Sequence, residues 1–404
     1  MPESRSSSHL IPTGDDHRVT PAELFFDLVF VYAIMQVTAM MAYDTSAGRI
    51  VGSLVVLALL WWCWCCFAWL GNVVRADAGG LFAVLVAVMG VMLIVAFALP
   101  EVYDDRAGGV YAPLVFVLCY GAVRLLHLVS YWMSAPDDRE LRATVRRTAL
   151  TSVAPPFALL LVGAALDGTA RIAVWAGAMA IDYAMVFVTR GSGWRVSSPG
   201  HFAERHSLIV IIALGESLVS MGVGVSDYAL TWPVMAGAVL GIGVASGMWW
   251  MYFRKVADVA EHRIARAEGG ERTKLASEVY TYLHLPMIAG IVLTALGTKI
   301  ALHQIADREH YPLSEPLHGI VAWALPGGVG LFLLASAAVL ARVSGKGSLV
   351  LLTGGGLCLV GGPLVAAVPA LLALALLGAA VAGMAALHAR VARPAPGGAA
   401  ASEG

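Results

Sequence analysis

The sequence predicts an all-α, polytopic membrane protein, a helical bundle of about 12 transmembrane helices. Two features of its composition point there. Of 404 residues, 59% are hydrophobic and 13% are charged, where a soluble domain carries about 25% charged residues. The mean hydropathy is +0.78. The third observation is periodic: apolar runs near the roughly 20 residues needed to cross a hydrocarbon core recur between short polar connections. A net charge of −1 offers no electrostatic footprint for nucleic acid. The lipid bilayer is the partner that composition implies.

Taken in order, the runs fall near 20–42, 51–73, 80–99, 110–133, 147–166, 170–189, 205–225, 232–253, 278–301, 318–341, 348–364 and 366–388. The last two are separated by Gly361-Gly362-Pro363, so 348–388 also reads as one broken helix or a re-entrant pair, giving 11 spans. An N-terminus in the cytoplasm and twelve crossings put twenty of the 26 Lys and Arg residues on the inner side and five outside, with Arg124 mid-span. That bias agrees with the positive-inside rule, and it places both termini in the cytoplasm. Residues 1–18 are polar with no signal-peptide apolar core, and 391–404 are rich in Ala, Gly and Pro; both read as disordered cytoplasmic tails flanking a bundle over 19–390. Residues 254–277 form the longest inner loop, patterned as a helical extension closed by a turn at Gly269-Gly270.

Ionisable residues inside such spans are costly and mark function or obligatory pairing. Glu23 and Asp27 stand four apart on one face of the first helix. Thr20, Pro21 and Glu23 make a helix start in which Glu23 completes a capping box and faces cytoplasmic water. Asp27, a turn deeper, needs a partner, with Arg124 or a histidine expected. Tyr120, Arg124 and His127 form a stripe on the fourth span, and Arg124, which cannot lose its proton, calls for Asp182, Glu216 or Asp27. Glu204 and Arg205 read as a solvated, paired start of the seventh span, with Glu216 near its middle among small residues. On the ninth span Glu278 is interfacial, and His284 precedes Pro286, which should kink the helix and free carbonyls beside it. Asp27, Arg124, His127, Asp182, Glu216 and His284 are thus the main substrate or proton-site candidates. Glu23, Glu204, Arg205 and Glu278 are secondary ones.

Several of these stretches resemble the bacterial low-temperature-requirement A family of membrane proteins. They are "ELFFDLVFVYA" from Glu23, "RLLH" from Arg124, Asp182, "HFAERHSLIVIIALGES" from His201 and "HLPMIAGIVLTALG" from His284. The resemblance covers roughly residues 20–300 and implies a multi-span bacterial membrane protein. With the charge bias it implies the cytoplasmic (inner) membrane of a bacterium, and it carries over no substrate, reaction or catalytic residue.

Glu23 and Glu204 each open an apolar helix six spans apart, which suggests two parallel six-helix halves. Cys63, Cys65 and Cys66 lie at spacings that do not converge on one ion, so no metal and no cofactor is expected. No HExxH, phosphate loop or G-x-S-x-G elbow occurs. The functional expectation is a proton-coupled secondary transporter with a polar site in the bundle core, taking a small-molecule or lipid substrate. The alternatives are an intramembrane enzyme doing acid–base chemistry on an apolar substrate, and a structural membrane protein.

Overall fold

The computed structural model describes residues 17–77, 79–106, 108–189 and 193–391. Apart from residues 17, 18 and 391, the two expected tails lie outside the described residues. Within them the chain is helical, and eleven helices are long and apolar enough to cross a membrane. The chain folds as two compact units, 1–216 with 261–292 and 217–260 with 293–404. This division does not separate the first six spans from the last six; it cuts helices internally.

The first unit starts with α1 (Pro21–Tyr43), α2 (Ala47–Gly71), α3 (Gly79–Ala98) and α4 (Ala112–Ser134). Helix α1 begins as expected: the Thr20 side chain accepts from the Glu23 N–H, and the Glu23 carboxylate accepts from the Thr20 N–H. Helix α2 is apolar on all sides and buried along nearly its whole length, so it forms the axis of the unit. Helix α3 instead turns Phe82, Val86, Ile94 and Phe97 outward, as a lipid-facing helix does.

The fifth crossing starts earlier than expected. Helix α5 (Arg139–Thr148) runs through a π turn at Ala149–Val153 into α6 (Ala154–Ala164). Pro155 and Pro156 have no N–H to give the preceding carbonyls, and the widened turn precedes them. After α7 (Gly168–Thr189), the seventh crossing also starts early. Helix α8 (Pro199–Val225) opens at a proline, which places His201, Glu204 and Arg205 inside the helix.

Helix α9 (Trp232–Met251) passes through a π turn at Tyr252–Val256 into α10 (Ala257–Arg266), and Gly269, with φ +49°, begins α11 (Gly269–Leu275). A third π segment, Ala276–Tyr282, precedes α12 (His284–Ala306). Pro286 sits in the first turn of α12, and the Val279 carbonyl lies 2.9 Å from His284 Nδ1.

The second unit includes α13 (Gly319–Ser344), α14 (Leu349–Leu359), α15 (Gly362–Val365) and α16 (Ala370–Val391). Helix α14 has 11 residues, too few to cross alone. Yet the chain reaches the far end of α13. Pro316 pairs with Pro369, and the Ala370 N–H donates to the Glu315 carbonyl at 3.1 Å. At the other end Ser348 Oγ lies 3.3 Å from His388 Nδ1. Residues 349–369 therefore make a complete crossing in pieces, broken at Gly361-Gly362-Pro363, and α16 returns.

Candidate functional site

Two centres of buried charge in the first unit gather most of the candidate residues. The first joins the starts of α1 and α8. Glu23 and Asp27, four apart on α1, face His201 and Arg205, four apart on α8. Two equal spacings on facing helices make a ladder. Arg205 Nη1 donates to Glu23 Oε1 at 2.8 Å and Nη2 to Asp27 Oδ1 at 2.6 Å. His201 Nε2 lies 3.0 and 3.1 Å from the two Glu23 oxygens. Trp64 of α2 donates from Nε1 to Asp27 Oδ1 at 2.8 Å. Asn72 lies behind His201, with its Nδ2 3.4 Å from the imidazole Nδ1. Relative exposure is 1% for Glu23, 0% for Asp27 and 1% for both His201 and Arg205. Burying charge this deeply is tolerated only where opposite charges and hydrogen bonds face it, and here Asp27 Oδ2 and Arg205 Nε have no partner among the described residues.

Four expectations change here. Glu23 caps its helix but is buried rather than water-facing. Asp27 is paired with Arg205 and Trp64, not with Arg124. Arg205 is not part of a solvated helix start: α8 begins at Pro199, so Arg205 lies inside and faces α1. Glu204 departs from its expected pairing too, since its Oε2 accepts from the Val19 N–H at 3.2 Å.

The second centre joins α4 and α7. Arg124 Nη2 stands 3.2 Å from Asp182 Oδ2, with both side chains 3% exposed. Of the three acids open to Arg124, the structure selects Asp182. The guanidinium also reaches Cys66 Sγ at 3.3 Å and the Ser152 carbonyl in the α5–α6 π turn at 3.4 Å. Tyr120 donates from its hydroxyl to Asp182 Oδ2 at 3.4 Å.

Beside this pair lies a cavity of about 70 Å³, whose walls include Trp62, Cys66, Trp69, Arg124, His127 and Thr281. It has room for a few waters. His127 is at its edge, ring centroid 5.1 Å from Tyr131, and its Nδ1 has no partner among the described residues. The π segment before α12 closes another wall: Trp61 donates to the Thr281 carbonyl at 2.8 Å and Trp69 to Thr281 Oγ1 at 3.0 Å.

His284 belongs to neither centre. Its ring stacks on Tyr280 at 5.3 Å and stands 5.5 Å from His206. His206 in turn packs edge-on to Trp64 at 4.9 Å, next to the first centre. Glu216 is buried about 16 Å along α8 from Arg205, at 1.5 Å per residue. Glu278 pairs with Lys274 at 4.0 Å. The sequence reading missed His201, Trp64 and Asn72. The four-residue spacing of His201 and Arg205, matching that of Glu23 and Asp27, was the available signal.

His17, Glu23 and His201 offer ligand atoms within 4.8 Å of one another, a His₂Glu set of the kind that binds zinc. The surroundings do not suit it. A histidine that ligates through Nε2 gives its Nδ1–H to an acceptor. Here His201 Nδ1 faces the Asn72 amide nitrogen, a donor. Glu23 is already engaged by Arg205, His201 and Thr20. We assign no metal to this set.

The geometry can be set beside known proteins. A family model described as bacterial low temperature requirement A protein (LtrA) matches residues 18–386. An uncharacterized protein of Rhizobium meliloti (strain 1021) is 28% identical over 299 residues, 71% of this chain and 70% of that protein. No solved structure matches.

Proposed function

We propose, from the premise that this chain belongs to the bacterial low temperature requirement A family, that it is a proton-driven secondary transporter of the bacterial cytoplasmic membrane. The observation that carries this reading is Asp27: a fully buried carboxyl on the first crossing, with one oxygen, Oδ2, lacking any hydrogen-bond partner among the described residues. Acids placed there are the usual means of carrying protons through a membrane protein. The surrounding geometry gives a proton mechanical consequences. Arg205 bridges Glu23 and Asp27 and so ties α8 to α1. With Asp27 ionised, two acids hold Arg205; with Asp27 protonated, Glu23 holds most of its charge. Protonation thus shifts the relative free energies of two α1–α8 arrangements, which is what coupling requires.

Arg124 supplies the solute side. It lines the small cavity, and an anionic group entering there would compete with Asp182 for its planar fork. The structural reading has one observation in its favour: both arginines are matched to carboxylates. Twelve crossings and the inward bias of Lys and Arg support placing both termini in the cytoplasm.

The test is current recorded on a solid-supported membrane after a pH jump, with and without a pool of small metabolites. The expected current needs both jump and pool, and is lost in Asp27→Asn. Equal currents with and without the pool would remove the transporter reading and leave the structural one.

A further inference from the structure

We propose that the first centre holds one exchangeable proton, on Asp27 Oδ2, because Asn72 keeps His201 neutral. This rests on the proton-driven reading above and deepens it.

The argument starts from the backbone. Asn72 Oδ1 accepts from the N–H groups of Ser197 and Ser198 at 2.7 and 3.2 Å. Its Nδ2 donates to the Ser198 carbonyl at 2.5 Å. Main-chain donors and acceptors are unambiguous, so the amide cannot be turned over. Its NH₂ then faces His201 Nδ1 at 3.4 Å. Two donors do not face each other, so Nδ1 carries the lone pair. The single ring proton is on Nε2, aimed at Glu23.

With His201 neutral, Glu23 and Asp27 ionised and Arg205 charged, the centre would carry an excess negative charge in a site closed to water. Burying a net charge costs far more than burying a neutral group. The geometry of Asp27 shows where the excess is removed. Its Oδ1 takes both donors, Trp64 and Arg205, while Oδ2 takes none. Oδ2 is thus the oxygen that can take a proton without displacing a donor, leaving Oδ1 as the carbonyl that accepts from both. Glu23 and Arg205 remain as a balanced pair.

Among the described residues, the neighbours of the centre do not supply the missing positive charge. His17 packs 4.9 Å from His201, and burial holds its ring below the usual histidine range. Arg75, near His17, is paired with Asp77 at 2.9 Å. Glu204 adds an acid rather than a cation. His206 lies beyond Trp64, with Nδ1 2.8 Å from the Phe202 carbonyl and Nε2 unpartnered among the described residues, which fits a neutral ring.

The test is infrared difference spectroscopy of the full chain in nanodiscs at neutral pH, with thermal midpoints of the same samples. These measurements are independent of whether any solute is transported. A buried carboxylic-acid carbonyl band is expected in the wild type, absent in Asp27→Asn and retained in Glu23→Gln. Asparagine copies the neutral acid, so Asp27→Asn is expected to melt where the wild type does, and Glu23→Gln several degrees lower. Should Asp27→Asn not fold, that itself contradicts a neutral Asp27. No acid band, or a band lost with Glu23 instead, also overturns the assignment. So does ¹⁵N NMR showing His201, identified by its loss in His201→Gln, as a doubly protonated imidazolium.

Discussion

Gly71 shows how tightly single residues are specified around the first centre. A Cβ there would lie 2.6 Å from Glu23 Oε1, so the carboxylate occupies the space a side chain would take. Gly71→Ala is expected to cost about 1–3 kcal/mol, the usual range for overpacking, read as a lowered thermal midpoint in detergent. In the second centre, removing one partner strands a buried charge. Arg124→Ala and Asp182→Ala should each cost about 3–5 kcal/mol, and the double variant much less than their sum. An additive double variant would show that the two side chains do not interact. At this scale the sequence was half legible. Arg124 had to find an acid, and Asp182 was among the three in reach of the reasoning. Arg205 was misread because it adjoins Glu204 at what looks like a polar helix start. Its burial depends on α1, which the local sequence does not mention. Asn72 gave no signal, being a loop-edge amide whose work is done through Ser197 and Ser198.

Helix boundaries moved for identifiable reasons. The capping box of α1 was plain because Thr20, Pro21 and Glu23 are local. Helix α8 extends to Pro199 because proline is a good first residue, although the apolar run starts later. The π turn before α6 precedes prolines, and a window of hydropathy does not register a widened turn. The last pair of crossings was legible as ambiguous, and Gly361-Gly362-Pro363 was the cause. Close helix approach is likewise set by single glycines. At Gly297 of α12 a Cβ would meet Leu325 Cα of α13 at 2.6 Å, and backbone cannot swing aside. Gly297→Ala should therefore cost about 1–3 kcal/mol, whereas Gly243→Ala on α9, with nothing near its Cβ position, should be close to neutral. Comparable thermal midpoints for the two would contradict this helix contact.

For the molecule as a whole, composition alone was enough to give a helical membrane bundle, because 59% hydrophobic residues leave few other folds. Among the described residues eleven helices are long and apolar enough to cross, and the broken passage over 349–369, read as a crossing, brings the number to the expected twelve. An even number returns the chain to its starting side. Fluorescent-protein and alkaline-phosphatase fusions at each end should both report cytoplasm; opposite sides would mean that residues 349–369 do not cross. The compact units do not follow the chain order of the crossings, since compactness follows packing and the chain re-enters the first unit at 261–292.

The most direct measurement is solute accumulation in proteoliposomes with an imposed pH gradient. Wild-type protein, Asp27→Asn and a protonophore-treated control would be compared by mass spectrometry of the vesicle contents. Proton-driven transport predicts that at least one solute accumulates in the wild type above the treated control, and that Asp27→Asn abolishes the excess. Contents identical across all three samples would contradict it and leave Glu23, Asp27, His201 and Arg205 as a structural clamp between α1 and α8.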